Sequence, residues 1–169
     1  KIDSRLAPFT ILGLENVVMK DINVKTAEGQ LTTTIGGRID RMDCVTCADG
    51  VRRIRVIDYK TGKNNKKNDG YILQSFIYSL LVDESPMMNP EKLEVSPALL
   101  YIQHSAGKDF DPTVVFEKEK VTNVSKYREE FMNIVEQIIA EIFNPEQPFA
   151  CTDDKTACTH CPYINLCGV

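Results

Sequence analysis

Two runs of β-forming residues joined by a short polar turn constrain the fold of this chain more than any other feature. The first run is QLTTTIGGRIDRMD (Gln30–Asp43) and the second is VRRIRVIDYK (Val51–Lys60). The stretch CADG between them has the small and polar residues that close a hairpin. The two runs are therefore predicted to lie side by side as antiparallel strands.

Strand and helix patterns alternate along the rest of the chain. Strands are predicted at Pro8–Met19, at Ser96–Ser105 and in DPTVVFEKE (111–119). The segment Gly70–Glu84 spans about four helical turns and is apolar on most sides, so it is predicted to be a buried helix. This order of elements predicts an α/β domain with a central mixed sheet flanked by helices.

The clearest helix is predicted at Thr122–Asn144, where apolar residues recur at three- and four-residue steps. Thr122 or Asn123 can cap its start, and Pro145 ends it. The apolar stripe consists of Val124, Tyr127, Phe131, Ile134, Val135, Ile138, Ile139 and Ile142.

Length and composition fit one globular domain. The chain has 169 residues, of which 43% are hydrophobic and 26% charged. No apolar run approaches the roughly 18 residues of a membrane span, and no signal-peptide pattern opens the chain. We therefore expect a cytoplasmic protein without a membrane partner. The start KIDSRLAPF lacks a Met, which indicates a processed product or a fragment of a longer chain.

The net charge of −4 argues against a protein coated in positive charge for nucleic-acid binding, but one stretch reverses the sign. Between Val51 and Lys67 the only acid is Asp58. Two interpretations stand: a local anion site, or an ordinary solvated hairpin and loop. The basic residues of this stretch are Arg52, Arg53, Arg55, Lys60, Lys63, Lys66 and Lys67.

Two aspartates lie inside the predicted strands of the hairpin. Asp58 and Lys60 are two residues apart, so their side chains share one face of the sheet, and the neighbouring strand can bring Asp40 close. Adjacent carboxylates repel each other unless they share a proton or a cation, and oxygen ligands suit Mg²⁺ or Mn²⁺. A lysine beside such a metal can help to activate water for phosphodiester hydrolysis. The alternative is a cross-strand salt bridge with no catalytic meaning.

Three motifs in order resemble the PD-(D/E)xK nuclease superfamily, with the closest likeness to the RecB/AddB-like nuclease domains of bacterial helicase–nucleases. These motifs are GGRIDR, DYKTG and a helical Q-x-x-x-Y, and the likeness extends from about Glu15 to the end of the chain. The family fold is a restriction-endonuclease-like core. The residues that carry the resemblance are Gly37, Asp40, Arg41, Asp58, Tyr59, Lys60, Thr61, Gly62, Gln74 and Tyr78.

The resemblance implies roles for these residues. Asp40 and Asp58 become metal ligands with the backbone carbonyl of Tyr59, and Lys60 becomes the catalytic lysine. Gln74 and Tyr78, one helical step of four residues apart, support the active site and the bound strand, although Tyr78 is also explained as a core aromatic. Arg38 and Arg41 flank Asp40 and either hold DNA phosphates or pair with acids, and Lys63 extends a basic rim.

A cysteine-rich end follows the core, so we predict a nuclease core at 1–150 and a cysteine-rich clasp at 151–169. This end contains four cysteines between Cys151 and Cys167. Four such soft ligands close together suit zinc or a [4Fe–4S] cluster, and the resemblance favours the cluster. A rival zinc site would join Cys44 and Cys47, otherwise interpreted as turn residues, to part of this tail. In a third interpretation the tail cysteines are small buried residues. The tail cysteines are Cys151, Cys158, Cys161 and Cys167.

The resemblance thus predicts a metal-dependent DNA nuclease that works with a helicase in DNA end processing and recombinational repair. The alternative is a non-catalytic module of the same fold that binds DNA or docks a partner. Many relatives add a metal ligand from an upstream helix, which this sequence does not show. Glu15 is the early acid nominated in its place.

Overall fold

The fold is a mixed four-stranded sheet with helices, as the sequence predicted. The computed structural model describes residues 7–61, 69–103, 111–148, 152–159 and 161–167. The strands lie in chain order across the sheet, antiparallel in the first two pairs and parallel in the third. They are β1 (Phe9–Thr26), β2 (Gly29–Thr46), β3 (Arg52–Lys60) and β4 (Glu94–Tyr101).

The predicted hairpin is confirmed as the pairing of β2 with β3, in which Met42 lies opposite Val56. β1 runs seven residues beyond the predicted end at Met19. It continues because apolar and polar residues still alternate there: Ile22 and Val24 are buried, whereas their neighbours are exposed. β1 and β2 therefore form a long hairpin whose outer half extends past β3.

Helix α1 (Asp69–Glu84) connects β3 to β4, which is the crossover that two parallel strands require. Its burial confirms the prediction of a core helix. Phe76 lies at the centre of the core, stacked on Phe131 with ring centroids 3.8 Å apart. The buried residues of α1 are Ser75, Phe76, Tyr78, Ser79, Leu80, Leu81 and Val82.

The predicted helix at Thr122–Asn144 is divided in two. A 3₁₀ turn (Val124–Tyr127) comes first, and Asn123 caps it by accepting a hydrogen bond from the backbone N–H of Ser125 at 3.0 Å. Helix α2 (Arg128–Ile142) follows and buries Phe131 and Val135. The far end of its apolar stripe is not buried among the described residues, because Ile138 and Ile142 are 39% and 50% exposed.

The remaining predictions hold in part. DPTVVFEKE forms two strands of two residues each, β5 (Val115–Phe116) and β6 (Glu119–Lys120), because the chain reverses at two residues with positive φ, Glu117 and Lys118. β4 ends at Tyr101, and the last residues of the strand predicted at 96–105 lie outside the described residues.

Two short helices lie in the tail, α3 (Lys155–Cys158) and α4 (Ile164–Cys167). None of the described helices is long and apolar enough to cross a membrane.

Candidate active site

Asp58 and Lys60 lie at the end of β3 with their side chains on the face that α1 covers. Asp58 is buried, at 9% exposure, and its Oδ2 is 2.5 Å from Nζ of Lys60. Oδ2 makes no hydrogen bond of ordinary geometry among the described residues, so its contact with Lys60 is an ion pair. The pair is therefore held by charge.

Asp40 lies where β2 and β3 stop pairing. Their ladder ends with Arg41 opposite Ile57, and one residue further the Asp40 carboxylate accepts a hydrogen bond from the backbone N–H of Tyr59 at 2.7 Å. The Tyr59 carbonyl stays a predicted third ligand, because the described contact to Asp40 is made by the Tyr59 N–H. Asp40 thus lies at the point where the strands separate, near enough to Asp58 for its charge to act on that carboxylate.

A line of polar contacts connects β3 to α1. Nζ of Lys60 donates to Oε1 of Gln74 at 3.1 Å, and Nε2 of Gln74 donates to the Tyr78 hydroxyl at 3.1 Å. A Cβ atom on Gly37 would lie 2.1 Å from that hydroxyl oxygen. Only glycine leaves room for Tyr78 here, which gives a physical reason for the glycine of the first motif.

Two tyrosines of the site were missed by the sequence analysis. Nζ of Lys60 lies 3.9 Å from the ring centroid of Tyr71, which is 36% exposed. Tyr101 is the β4 partner of Lys60, and burial raises the pKa of its hydroxyl although the charge of Lys60 opposes this effect. Tyr71 precedes Gln74 by three residues, and helical steps of three and four place side chains on one face. The spacing could therefore have predicted that Tyr71 shares a face with Gln74 and Tyr78.

Burial raises the pKa of Asp58, and the negative charge of Asp40 raises it further, while Lys60 opposes both effects. A buried carboxylate beside a second one is stabilised by a cation. The described residues contain no group of three or more His, Cys, Asp or Glu side chains that could hold a metal. Mg²⁺ nevertheless fits, because it commonly takes one or two carboxylates and keeps several waters.

Arg41 follows the second of its two predicted alternatives, since it pairs with an acid. It is 2% exposed and donates from Nε and Nη2 to Oδ2 of the fully buried Asp43, at 2.9 and 2.5 Å. Its Nη1 donates to the Tyr59 hydroxyl at 3.2 Å, and its guanidinium lies over the Phe9 ring. A guanidinium buried in this way offers no surface to a DNA phosphate, which corrects the phosphate contact predicted for Arg41.

Arg38 is the other arginine beside Asp40, and it is exposed. It pairs with Glu15 at 3.8 Å, and both side chains are more than 60% exposed, so the pair is weak. Glu15 lies on β1 between Leu14 and Asn16, which pair with Arg41 and Ile39, and has a φ of 53°. Lys63, the third predicted phosphate contact, lies outside the described residues.

The basic stretch on β3 consists largely of ion pairs. Arg52 pairs with Glu91, and Arg53 pairs with Asp49 and Glu94. Arg55 donates to both carboxylate oxygens of Asp43. For these three arginines the ordinary-hairpin interpretation is therefore the better one.

The cysteines lie in two separate places. Cys44 is buried within β2, which differs from the turn position expected of it, whereas Cys47 begins the turn to β3. In the tail, Cys158 ends α3 and Cys167 ends α4, with Cys161 between them. The described cysteines do not form a metal-holding group, and Cys151 lies outside the described residues. A metal site in the tail therefore stays a prediction.

Comparison with known proteins gives one clear result. A family model of the PD-(D/E)XK nuclease superfamily matches residues 1–168, nearly the whole chain. No curated protein matches the chain. The mixed sheet and its helices are the α/β restriction-endonuclease-like fold that this match implies. The chain belongs to the PD-(D/E)XK nuclease superfamily.

Proposed function

We propose that this protein is a Mg²⁺- or Mn²⁺-dependent DNA nuclease that cleaves phosphodiesters by the attack of water. One observation carries the proposal: Asp58 is a buried carboxylate that lies 2.5 Å from the Lys60 ammonium and is acted on by the negative charge of Asp40. Such a constellation suits a cation and an anionic substrate, and the superfamily match supports hydrolysis of nucleic acid.

Asp40, Asp58 and the Tyr59 carbonyl would hold the metal, which when bound supplies an acidified water and positive charge against the phosphate. The hydrogen bond from the Tyr59 N–H holds the Asp40 carboxylate at the strand end. Gln74 fixes the Lys60 ammonium above Asp58, where Lys60 can donate to the attacking water or to a phosphate oxygen. Tyr78 in turn fixes Gln74. Arg38 is the exposed cation beside Asp40 for a phosphate of the DNA.

The cellular context belongs to this proposal and rests on the likeness of GGRIDR, DYKTG and Q-x-x-x-Y to RecB/AddB-like domains. On that basis the protein is an exonuclease that acts with a helicase in DNA end processing and repair. Residues 1–150 form its nuclease core, and 151–169 form a clasp for the chain end. A [4Fe–4S] cluster or zinc in the clasp rests on the cysteine spacing and on the same likeness, and visible absorption with metal analysis of anaerobically purified protein tests it.

The test uses linear and circular DNA with Mg²⁺, Mn²⁺ or EDTA. The proposal predicts cutting with either metal and none with EDTA, and loss of cutting in Asp40→Asn. Sparing of circular DNA identifies an exonuclease. If the wild type binds DNA but cuts neither substrate with either metal, the chain is a non-catalytic DNA-binding module and the proposal fails.

A further inference from the structure

The Lys60 ammonium is held from three sides, and only two of the groups that hold it belong to the motifs. Asp58 lies at 2.5 Å and Gln74 at 3.1 Å, and the third group is the ring of Tyr71, with its centroid at 3.9 Å. An ammonium within about 6 Å of an aromatic centroid and over the ring face is attracted by the negative charge of that face. The ring contact is therefore an attractive interaction with the charged form of Lys60.

We propose that Tyr71 is a positioning residue of the active site, whose ring holds the Lys60 ammonium over Asp58; the inference rests on the proposed nuclease function. Tyr71 acts through Lys60 and is assigned no contact with the reacting atoms. The ring would keep Lys60 in place when the Asp58 carboxylate binds a metal.

A neutral ring suits this position better than a charged side chain. A carboxylate in place of Tyr71 would draw the ammonium away from Asp58 and would compete for the metal. A lysine or arginine would repel the ammonium. The aromatic face attracts a cation without neutralising it, so Lys60 keeps its full charge for the water or the phosphate.

The placement of Tyr71 on α1 supports the same role. Tyr71, Gln74 and Tyr78 follow one another at steps of three and four residues, so they form one stripe along the helix. The last two members of this stripe are fixed by the contact with Lys60 and by the close approach to Gly37. Tyr71 extends the stripe by one turn, so the same helix places both Tyr71 and Gln74 against Lys60.

The first experiment measures cleavage by Tyr71→Leu and Tyr71→Phe. Loss of the ring in the leucine variant is expected to lower kcat about fivefold to tenfold with KM unchanged, whereas phenylalanine keeps the ring and stays within about twofold of wild type. Thermal melting of both variants checks the fold. A leucine variant with wild-type kcat overturns the proposal. So does a change in KM alone, which would mark a substrate contact, or an equal loss in phenylalanine, which would assign the effect to the hydroxyl.

A second measurement is independent of cleavage. Protons over a ring face resonate upfield, so the Lys60 ε-methylene signal, identified by its absence in Lys60→Ala, is expected upfield in wild type and in Tyr71→Phe. It is expected at the ordinary lysine position in Tyr71→Leu. An ordinary position in wild type overturns the proposal whatever the nuclease assay gives. An upfield signal in a protein that cuts no DNA keeps the contact and places the failure in the proposed function instead.

Discussion

The ionised Asp58 carboxylate lowers the stability of the folded chain at neutral pH. Its pKa is raised chiefly because burial removes its charge from water, and the charge of Asp40 adds to the effect. Ionisation is therefore harder in the folded state than in the unfolded state. The resulting destabilisation is present above the folded pKa and vanishes as the pH falls below the unfolded pKa, at about 4. A residue kept at such a cost is typical of a functional site.

Asp58→Asn removes this cost, so without metal the variant is expected to be at least as stable as wild type at pH 7.5. Its advantage is expected to shrink as the pH falls towards about 4, where wild-type Asp58 is also neutral. Urea unfolding across this pH range, in EDTA, measures the difference. A variant clearly less stable than wild type at pH 7.5 would show that the carboxylate stabilises the fold.

Gly37 is the second residue whose identity the site explains. Gly37→Ala would place a methyl group 2.1 Å from the Tyr78 hydroxyl oxygen, and overpacking of this kind costs about 1–3 kcal/mol. We expect reduced stability and reduced cleavage, because the displaced Tyr78 releases Gln74 and then Lys60. A double-mutant cycle with Tyr78→Phe checks the cause. Strictly additive effects of the two substitutions would show that the residues do not act on each other.

At the scale of elements, buried charges join β2 to β3 on the face opposite the catalytic pair. Asp43 is fully buried and accepts hydrogen bonds from Arg41 and Arg55, and Arg41 also donates to the Tyr59 hydroxyl. Tyr59 is thus held twice, through its N–H by Asp40 and through its hydroxyl by Arg41. The network fixes the strand end that carries the candidate metal ligands.

Asp43→Ala is expected to destabilise the protein by about 3–5 kcal/mol, because it leaves two buried guanidinium groups without their carboxylate. Glu91→Ala is the matched control. It removes the carboxylate that pairs with the exposed Arg52 of β3, and it is expected to cost at most about 1 kcal/mol. Chemical unfolding of both variants provides the comparison. Equal losses of unfolding free energy in the two variants would mean that burial of the Asp43 network adds nothing to stability.

The elements also show how far local sequence patterns reach. Alternation predicted the β2–β3 hairpin, and apolar content predicted the burial of α1, because both depend on neighbours along the chain. The three motifs predicted that Asp40, Asp58, Lys60 and Gln74 lie close together. Local patterns did not distinguish Arg41, which is buried, from the exposed Arg38, because the difference depends on Asp43 and Phe9 across the sheet. The contact of Tyr71 with Lys60 likewise depends on how α1 lies against β3.

At the scale of the whole molecule, metal binding is expected to stabilise the fold. A ligand that binds only the native state adds about 2.7 kcal/mol when its concentration is 100 times its Kd. Mg²⁺ is therefore expected to raise the Tm of wild type in a concentration-dependent way, and to leave the Tm of Asp40→Asn and Asp58→Asn almost unchanged. Calorimetry with Mg²⁺ and with an equal ionic strength of NaCl separates specific binding from screening. An equal rise in all three proteins would place the metal elsewhere.

The most direct measurement is the single-turnover rate of DNA cleavage in Mg²⁺ for wild type, Asp58→Asn and Lys60→Met, with DNA binding measured in parallel. The account predicts that wild type cuts, and that both variants bind DNA but cut at least about a hundredfold more slowly, because each lacks one part of the metal-and-ammonium site. Cleavage by either variant at the wild-type rate would contradict the account, since it would place the chemistry outside the Asp40, Asp58 and Lys60 site.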